Sequence, residues 1–168
     1  MKIQFLKCLT YDIYSYLCGK FLPMNIDVFD VAKYIIQQVG PMSTMKLQKL
    51  VYYCQAWSLV WDEQPLFKEP IQAWANGPVV PELYSYHRGH FTVEPEEFKI
   101  GNASKLSDEQ KDTIDTVLLS YADKTAKWLI DLTHMEDPWL IAREGLQPND
   151  RSNQVITWES MAEYYSSI

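Results

Sequence analysis

Residues 46–62 read Lys-Leu-Gln-Lys-Leu-Val-Tyr-Tyr-Cys-Gln-Ala-Trp-Ser-Leu-Val-Trp-Asp, and as a helix this stretch is apolar on nearly every side. At about 100° per residue, Leu47, Leu50, Val51, Cys54, Ser58 and Trp61 share one broad face, while Met45, Tyr52, Ala56 and Leu59 cover most of the opposite one. A helix with so little surface for water belongs at the centre of its domain, wrapped by other elements. Its polar remainder is Gln48, Gln55 and Asp62, seven apart on a single line, with Lys46 and Lys49 further round. That line fits a partner-facing strip, and it fits, as the favoured reading, amides and a carboxylate that are paired inside the domain, since buried polar groups must find partners.

The flanking sequence supplies elements to wrap this rod. Val28, Val31, Ala32, Ile35 and Ile36 follow helical spacing over 27–39, and Gly40-Pro41 ends that helix. Ser43 and Thr44 can cap the central helix, expected over about 45–62, and the two helices are expected to pack antiparallel. Over 70–75, Ile71, Ala73 and Ala75 alternate with Gln72 and Trp74, which predicts a short strand, and Gly77-Pro78 then turns the chain. Pro81 suits the first turn of a short helix reaching His87. The stretch 89–106 has no helical period and carries Glu94, Glu96 and Glu97, so it reads as a long acidic loop, functional or mobile. Ser107-Asp-Glu-Gln110 is a capping box ahead of Ile114, Val117, Leu118 and Tyr121. Thr125 caps a further helix, Asp137-Pro138 opens a short one, and a strand at about 154–156 precedes a last helix after Thr157. The expected fold is mainly α: a helical domain around one buried helix, with one or two short strands.

A chain of 168 residues with 14% aromatic residues can bury a core without disulfides or metal. The formal charge of −7 disfavours nonspecific binding to nucleic acid, whose affinity comes from Lys and Arg. Cys8, Cys18 and Cys54 are an odd number without C-x-x-C spacing, so neither a disulfide framework nor a zinc site is expected, and a reducing cytoplasm fits best. Cys54 reads as a small buried hydrophobe rather than a catalytic thiol. Residues 1–23 carry Lys7, Asp12 and Lys20 within their apolar residues, and so form neither a signal peptide nor a membrane span. They are read as an N-terminal extension, either an overextended start ahead of Met24 or a docking segment, and 24–168 as a single domain.

Chemistry is sparse. His87-Arg-Gly-His90 pairs two imidazoles across a helix-ending glycine without a third ligand in the neighbouring sequence, and His134 beside Asp131, Glu136 and Asp137 reads as a helix-end histidine among solvated acids. The chain contains no Gly-rich phosphate loop, no G-x-S-x-G elbow and no H-E-x-x-H. No catalytic, cofactor or metal residue is therefore assigned. Trp74 beside the Gly-Pro turn offers a rigid aromatic on a sharply shaped surface, as in binding hot spots, or simply covers the core. The candidate partner-binding set is Gln48, Gln55, Trp74, Asn76, Gly77, Pro78 and Tyr84.

Taken in order, Leu47-Gln-Lys-Leu50-Val-Tyr-Tyr53, Pro65-Leu-Phe67, Ile71-Gln-Ala-Trp74 and Gly77-Pro-Val-Val-Pro81 resemble the SocA-type antitoxin domain, also called the Panacea or phage-associated GepA-like domain. The likeness extends to Tyr84, to 126–133, to Pro138-Trp139 and to Ile156, and covers about residues 25–165. The leader and the acidic loop depart from it. The resemblance implies a mostly helical protein, encoded on phages, mobile elements or bacterial chromosomes beside a small toxin that it neutralises. Direct binding is the expected mode, with presentation to a protease as an additional route, and the acidic charge adds the expectation of a basic toxin. Two other classes stay open. One is a hydrolase or transferase with a dispersed site, which a cluster of His87, His90 and His134 with acids would favour. The other is a structural or regulatory interaction protein.

Overall fold

The computed structural model describes residues 25–168, so the extension expected over 1–23 lies outside the described residues. The elements run α1 (Val28–Val39), β1 (Met42–Ser43), α2 (Thr44–Trp61), β2 (Ile71–Trp74), β3 (Gly77–Val79), α3 (Pro81–His87), β4 (Thr92–Val93), a 3₁₀ turn (Ala103–Lys105), α4 (Asp108–Tyr121), α5 (Ala126–Thr133), α6 (Asp137–Ala142), β5 (Val155–Ile156) and α7 (Trp158–Tyr165). The protein is mainly helical, with a few short strands.

Helix α2 is the axis. The Ser43 hydroxyl caps it by accepting from the Lys46 amide at 3.2 Å. It packs against α1, α4, α5, α7 and β3, and Leu47, Leu50, Val51, Tyr52, Tyr53, Cys54 and Ala56 lose all contact with solvent. Burial on every side removes amphipathicity as an organising force, so the neighbours are matched to specific side chains. Tyr53 stacks on Tyr121 of α4 at 4.2 Å, and Trp57 meets Tyr165 of α7 edge-on at 5.3 Å. Trp61, grouped with the buried face by its spacing, is 46% exposed because it stacks along Trp57 at the open end of the helix.

The caps form as the sequence indicates. Ser107 and Gln110 make a reciprocal capping box, and Thr125 and Thr157 accept from Trp128 and Ser160. Helix α1 adds a box of its own, Asp27 with Asp30.

The strand expected at 70–75 pairs antiparallel with β3 on one side and with β5 on the other, in the order β3-β2-β5. Ile71 and Ala73 point into the core while Gln72 and Trp74 are half-buried, which is the alternation the sequence shows. A second antiparallel pair, β1 with β4, joins the entry of α2 to the stretch beyond α3.

The acidic loop is more tightly fixed than its composition suggests. Tyr86 Oη accepts from the Lys99 amide at 3.1 Å, and Lys33 donates to the carbonyls of Pro95 and Phe98. The buried Asp30 carboxylate accepts from the Asn102 amide at 2.6 Å and from Lys105 Nζ at 2.9 Å. No helix among the described residues is long and apolar enough to cross a membrane.

Candidate functional site

The β2–β3 hairpin is clamped to the helices through its own backbone. Arg143 Nη1 donates to the Ala73 carbonyl at 2.9 Å, Trp139 Nε1 to the Trp74 carbonyl at 2.9 Å, and Lys49 Nζ to the Pro78 carbonyl at 2.7 Å. Arg143 also donates through Nη2 to the carbonyls of Gln147, Pro148 and Asp150, so one guanidinium ties the hairpin to the chain beyond α6. Trp139 is held in turn between the Arg143 guanidinium, 5.0 Å from its ring, and the His134 imidazole, stacked at 4.1 Å.

At the turn, Gly77 has φ +92, and a β-carbon there would lie 2.7 Å from Lys49 Cε and 2.8 Å from Thr133 Oγ1. Only glycine fits this joint. Above it, Trp74 is half-buried, donates to Gln72 Oε1 at 2.9 Å and meets Tyr84 edge-on at 4.8 Å, while Asn76 stands exposed at the tip.

The candidate residues thus separate. Trp74, Asn76 and Tyr84 reach the surface together; Gly77 and Pro78 are buried and serve the shape of the turn. The partner-facing strip drawn through Gln48 and Gln55 is corrected, because both are buried and their amides are spent inside the fold. Gln48 Oε1 accepts from the Val80 amide at 2.8 Å, which fixes its Nε2 as the donor facing His87 Nε2 at 3.0 Å. His87 Nε2 must then offer its lone pair, so the proton resides on Nδ1 and the ring is neutral, in keeping with burial lowering its pKa. Gln55 Oε1 accepts from the amides of Leu66 and Phe67, and its Nε2 donates to the Phe67 carbonyl at 3.1 Å. Asp62, third on the line, accepts from Thr113 Oγ1 at 2.9 and 3.0 Å. The strip is a row of internal splices, each stitching an irregular segment or a neighbouring helix to α2.

The residue that sequence reasoning missed is Lys49, placed on the polar fringe of α2 but fully buried. Burial alone lowers its pKa from the ordinary 10.5 to about 7. The available signal was its position inside a helix with no solvent-facing side. A second buried group is Glu136, whose Oε2 accepts from Tyr165 Oη at 2.7 Å and Tyr53 Oη at 3.2 Å. Burial raises its pKa to about 7, against the opposing pull of those two hydrogen bonds. Glu136 turns to these tyrosines, while His134 stacks on Trp139 and leaves Nε2 buried without a hydrogen-bond partner among the described residues. His87 and His90 line a cleft of about 260 Å³ with Glu94 and Glu97. Among the described residues no group of three or more His, Cys, Asp or Glu is placed to hold a metal ion.

Comparison with known proteins bears on this hairpin. The family model described as antitoxin SocA-like, Panacea domain, matches residues 47–140, from the first turn of α2 through the hairpin into α6. Antitoxin SocA of Caulobacter vibrioides (strain NA1000 / CB15N) is 25% identical over 73% of this chain and 73% of its own length. No solved structure matches the chain. A matched segment that spans the central helix, the clamped turn and the helices gripping it places this chain in the antitoxin SocA-like, Panacea domain family.

Proposed function

We propose that the chain neutralises a co-encoded toxin by binding it directly in the cytoplasm, with residues 24–168 as the antitoxin unit and the hairpin residues Trp74 and Asn76, together with Tyr84 of α3, as the contact surface. The observation that carries this reading is the clamped hairpin. Three carbonyls held by side chains from α2 and the α6 region fix the hairpin that carries Trp74, which lies edge-on to Tyr84, and the exposed amide of Asn76. A surface ordered before binding loses little entropy on docking, and buried aromatics at such a centre dominate interface energies. The toxin's active surface is masked, and no turnover is involved.

Co-expression with the protein encoded by the adjacent reading frame tests this. Growth should be rescued by the wild-type chain and lost with Asn76→Arg, an exposed position where the substitution leaves the core untouched. Rescue by both chains would remove the hairpin from the contact, and rescue by neither would remove the antitoxin role. Toxin abundance separates two modes in the same cells: an unchanged level marks masking, and a level that falls only when a protease is active marks delivery.

The formal charge of −7 further favours a basic toxin steered by long-range attraction. Its association rate is expected to drop about tenfold or more between low and physiological salt, as surface fields are screened. A rate unmoved by salt would rule out steering while leaving direct binding intact.

A further inference from the structure

We propose that Lys49 is the positioning residue of the partner-binding surface, holding the Gly77-Pro78 turn from below so that Trp74 and Asn76 are presented in one fixed arrangement. This rests on the hairpin reading above and names the buried group that prepares the surface.

Stability alone does not call for a lysine here. Its side chain is 0% exposed, and among the described residues no carboxylate lies within ion-pair distance of Nζ. Burying an amine without a carboxylate partner costs stability whether it keeps its proton or gives it up, and an unbranched apolar side chain of similar length would pack the same space without that cost. What the apolar side chain would lack is the N–H that reaches Pro78.

The joint is specific on both sides. From α2 comes the Lys49 tip; from α5 comes Thr133 Oγ1, whose own proton goes to the Ile130 carbonyl at 2.8 Å. Together they fill the place a β-carbon would take on Gly77. Trp139 and Arg143 hold the β2 arm of the hairpin through the carbonyls of Trp74 and Ala73. Lys49 holds the β3 arm through Pro78, next in the chain to the turn glycine. Releasing it leaves the turn end of that arm without its link to α2, held by its pairing with β2 and by Gln48 at Val80, so Asn76 at the tip shifts relative to Trp74 and Tyr84. Lys49 therefore acts on the partner through the turn and does not touch it.

Lys49→Met tests this from the helix side and Gly77→Ala from the turn side, each in the whole chain, with the product of the adjacent reading frame as binding probe. Lys49→Met should melt at or above the wild-type temperature, yet bind about tenfold or more weaker. Gly77→Ala should weaken binding to a similar degree, and the double variant should bind no worse than the weaker single, because both open one joint. In the free chain, hydrogen exchange at the amides of Gly77 and Val79, paired with β2, should quicken about tenfold in Lys49→Met, with the helices unchanged. Wild-type binding by Lys49→Met, losses that multiply in the double variant, or unchanged exchange at the turn would each overturn the proposal. A Lys49→Met chain that fails to fold would do so too, by making the lysine a stability residue. Failure of the wild-type chain to bind is a different result: it overturns the antitoxin reading, while turn exchange still reports on the joint.

Discussion

Gly101→Ala is expected to destabilise the fold by about 3–5 kcal/mol, from left-handed backbone strain and overpacking together, and to lower Tm by on the order of 10 °C in a chain of this size. Gly101 has φ +81, and a β-carbon there would sit 2.2 Å from the Phe29 carbonyl oxygen and 2.5 Å from its carbon. Both atoms are backbone in the first turn of α1, which cannot swing aside as a side-chain tip would. The segment cannot retreat either, because the Asp30 carboxylate holds the next residue through the Asn102 amide and holds Lys105 by an ion pair at 2.9 Å. Gly145 is the control: its φ is +82 but nothing lies within 4 Å, so Gly145→Ala carries strain without collision and should cost about 1 kcal/mol. Thermal melts of the two variants check the difference. Equal shifts would show that the seat of Gly101 against α1 does not hold the acidic loop in place.

The second large effect is a dependence of stability on pH that runs against the usual pattern. Glu136 ionises at an ordinary 4.5 in the unfolded chain and at about 7 in the fold. Between those values the folded state keeps a proton that the unfolded state has lost, so the contribution is complete below 4.5 and disappears as pH rises through 7. Lys49 has the opposite consequence. Its ordinary value is 10.5 and its folded value about 7, so between them the unfolded chain binds the extra proton, and stability rises with pH across that window. The two contributions meet in a minimum near neutrality, each on the order of 3–5 kcal/mol from end to end. His87 and His134, both lowered by burial, oppose the acid-side slope, so the comparison is made between wild type and variant at each pH. Chemical denaturation from pH 5 to 9 should show that Glu136→Gln removes the fall on the acid side and Lys49→Met the rise on the alkaline side. Parallel curves for wild type and both variants would mean that neither group is as deeply desolvated as its burial implies.

The sequence carried the helical frame because helices announce themselves locally. The period of α1 and α4, the hydroxyl caps at Ser43, Ser107, Thr125 and Thr157, and the Gly40-Pro41 break all act within a few residues of their position. The alternation at Ile71 and Ala73 was equally plain. Two-residue strands such as β1 and β4 have no period, and their pairing joins Met42 to Val93 across the chain. The polar line on α2 is visible in the sequence as a spacing of seven, but whether it faces a partner or the interior is not. Whether Gln48 and Gln55 face water depends on segments 11 to 39 residues further on that fold over them. Lys49 escaped for the same reason, its partner being a carbonyl 29 residues away. Trp74, Asn76 and Tyr84 could be named from their place beside a Gly-Pro turn, while the donors that hold the hairpin, Lys49, Trp139 and Arg143, come together only in three dimensions.

Titration calorimetry of the purified chain with the product of the adjacent reading frame tests the hairpin contact most directly. Wild type is compared with Asn76→Arg, Trp74→Ala and, as an exposed position on α4, Leu119→Ala. Loss of about a hundredfold in affinity for the two hairpin variants, with Leu119→Ala binding as wild type, is the expected result for anchors at the centre of an interface. Wild-type affinity in both hairpin variants would contradict it and move the contact to another face of the molecule.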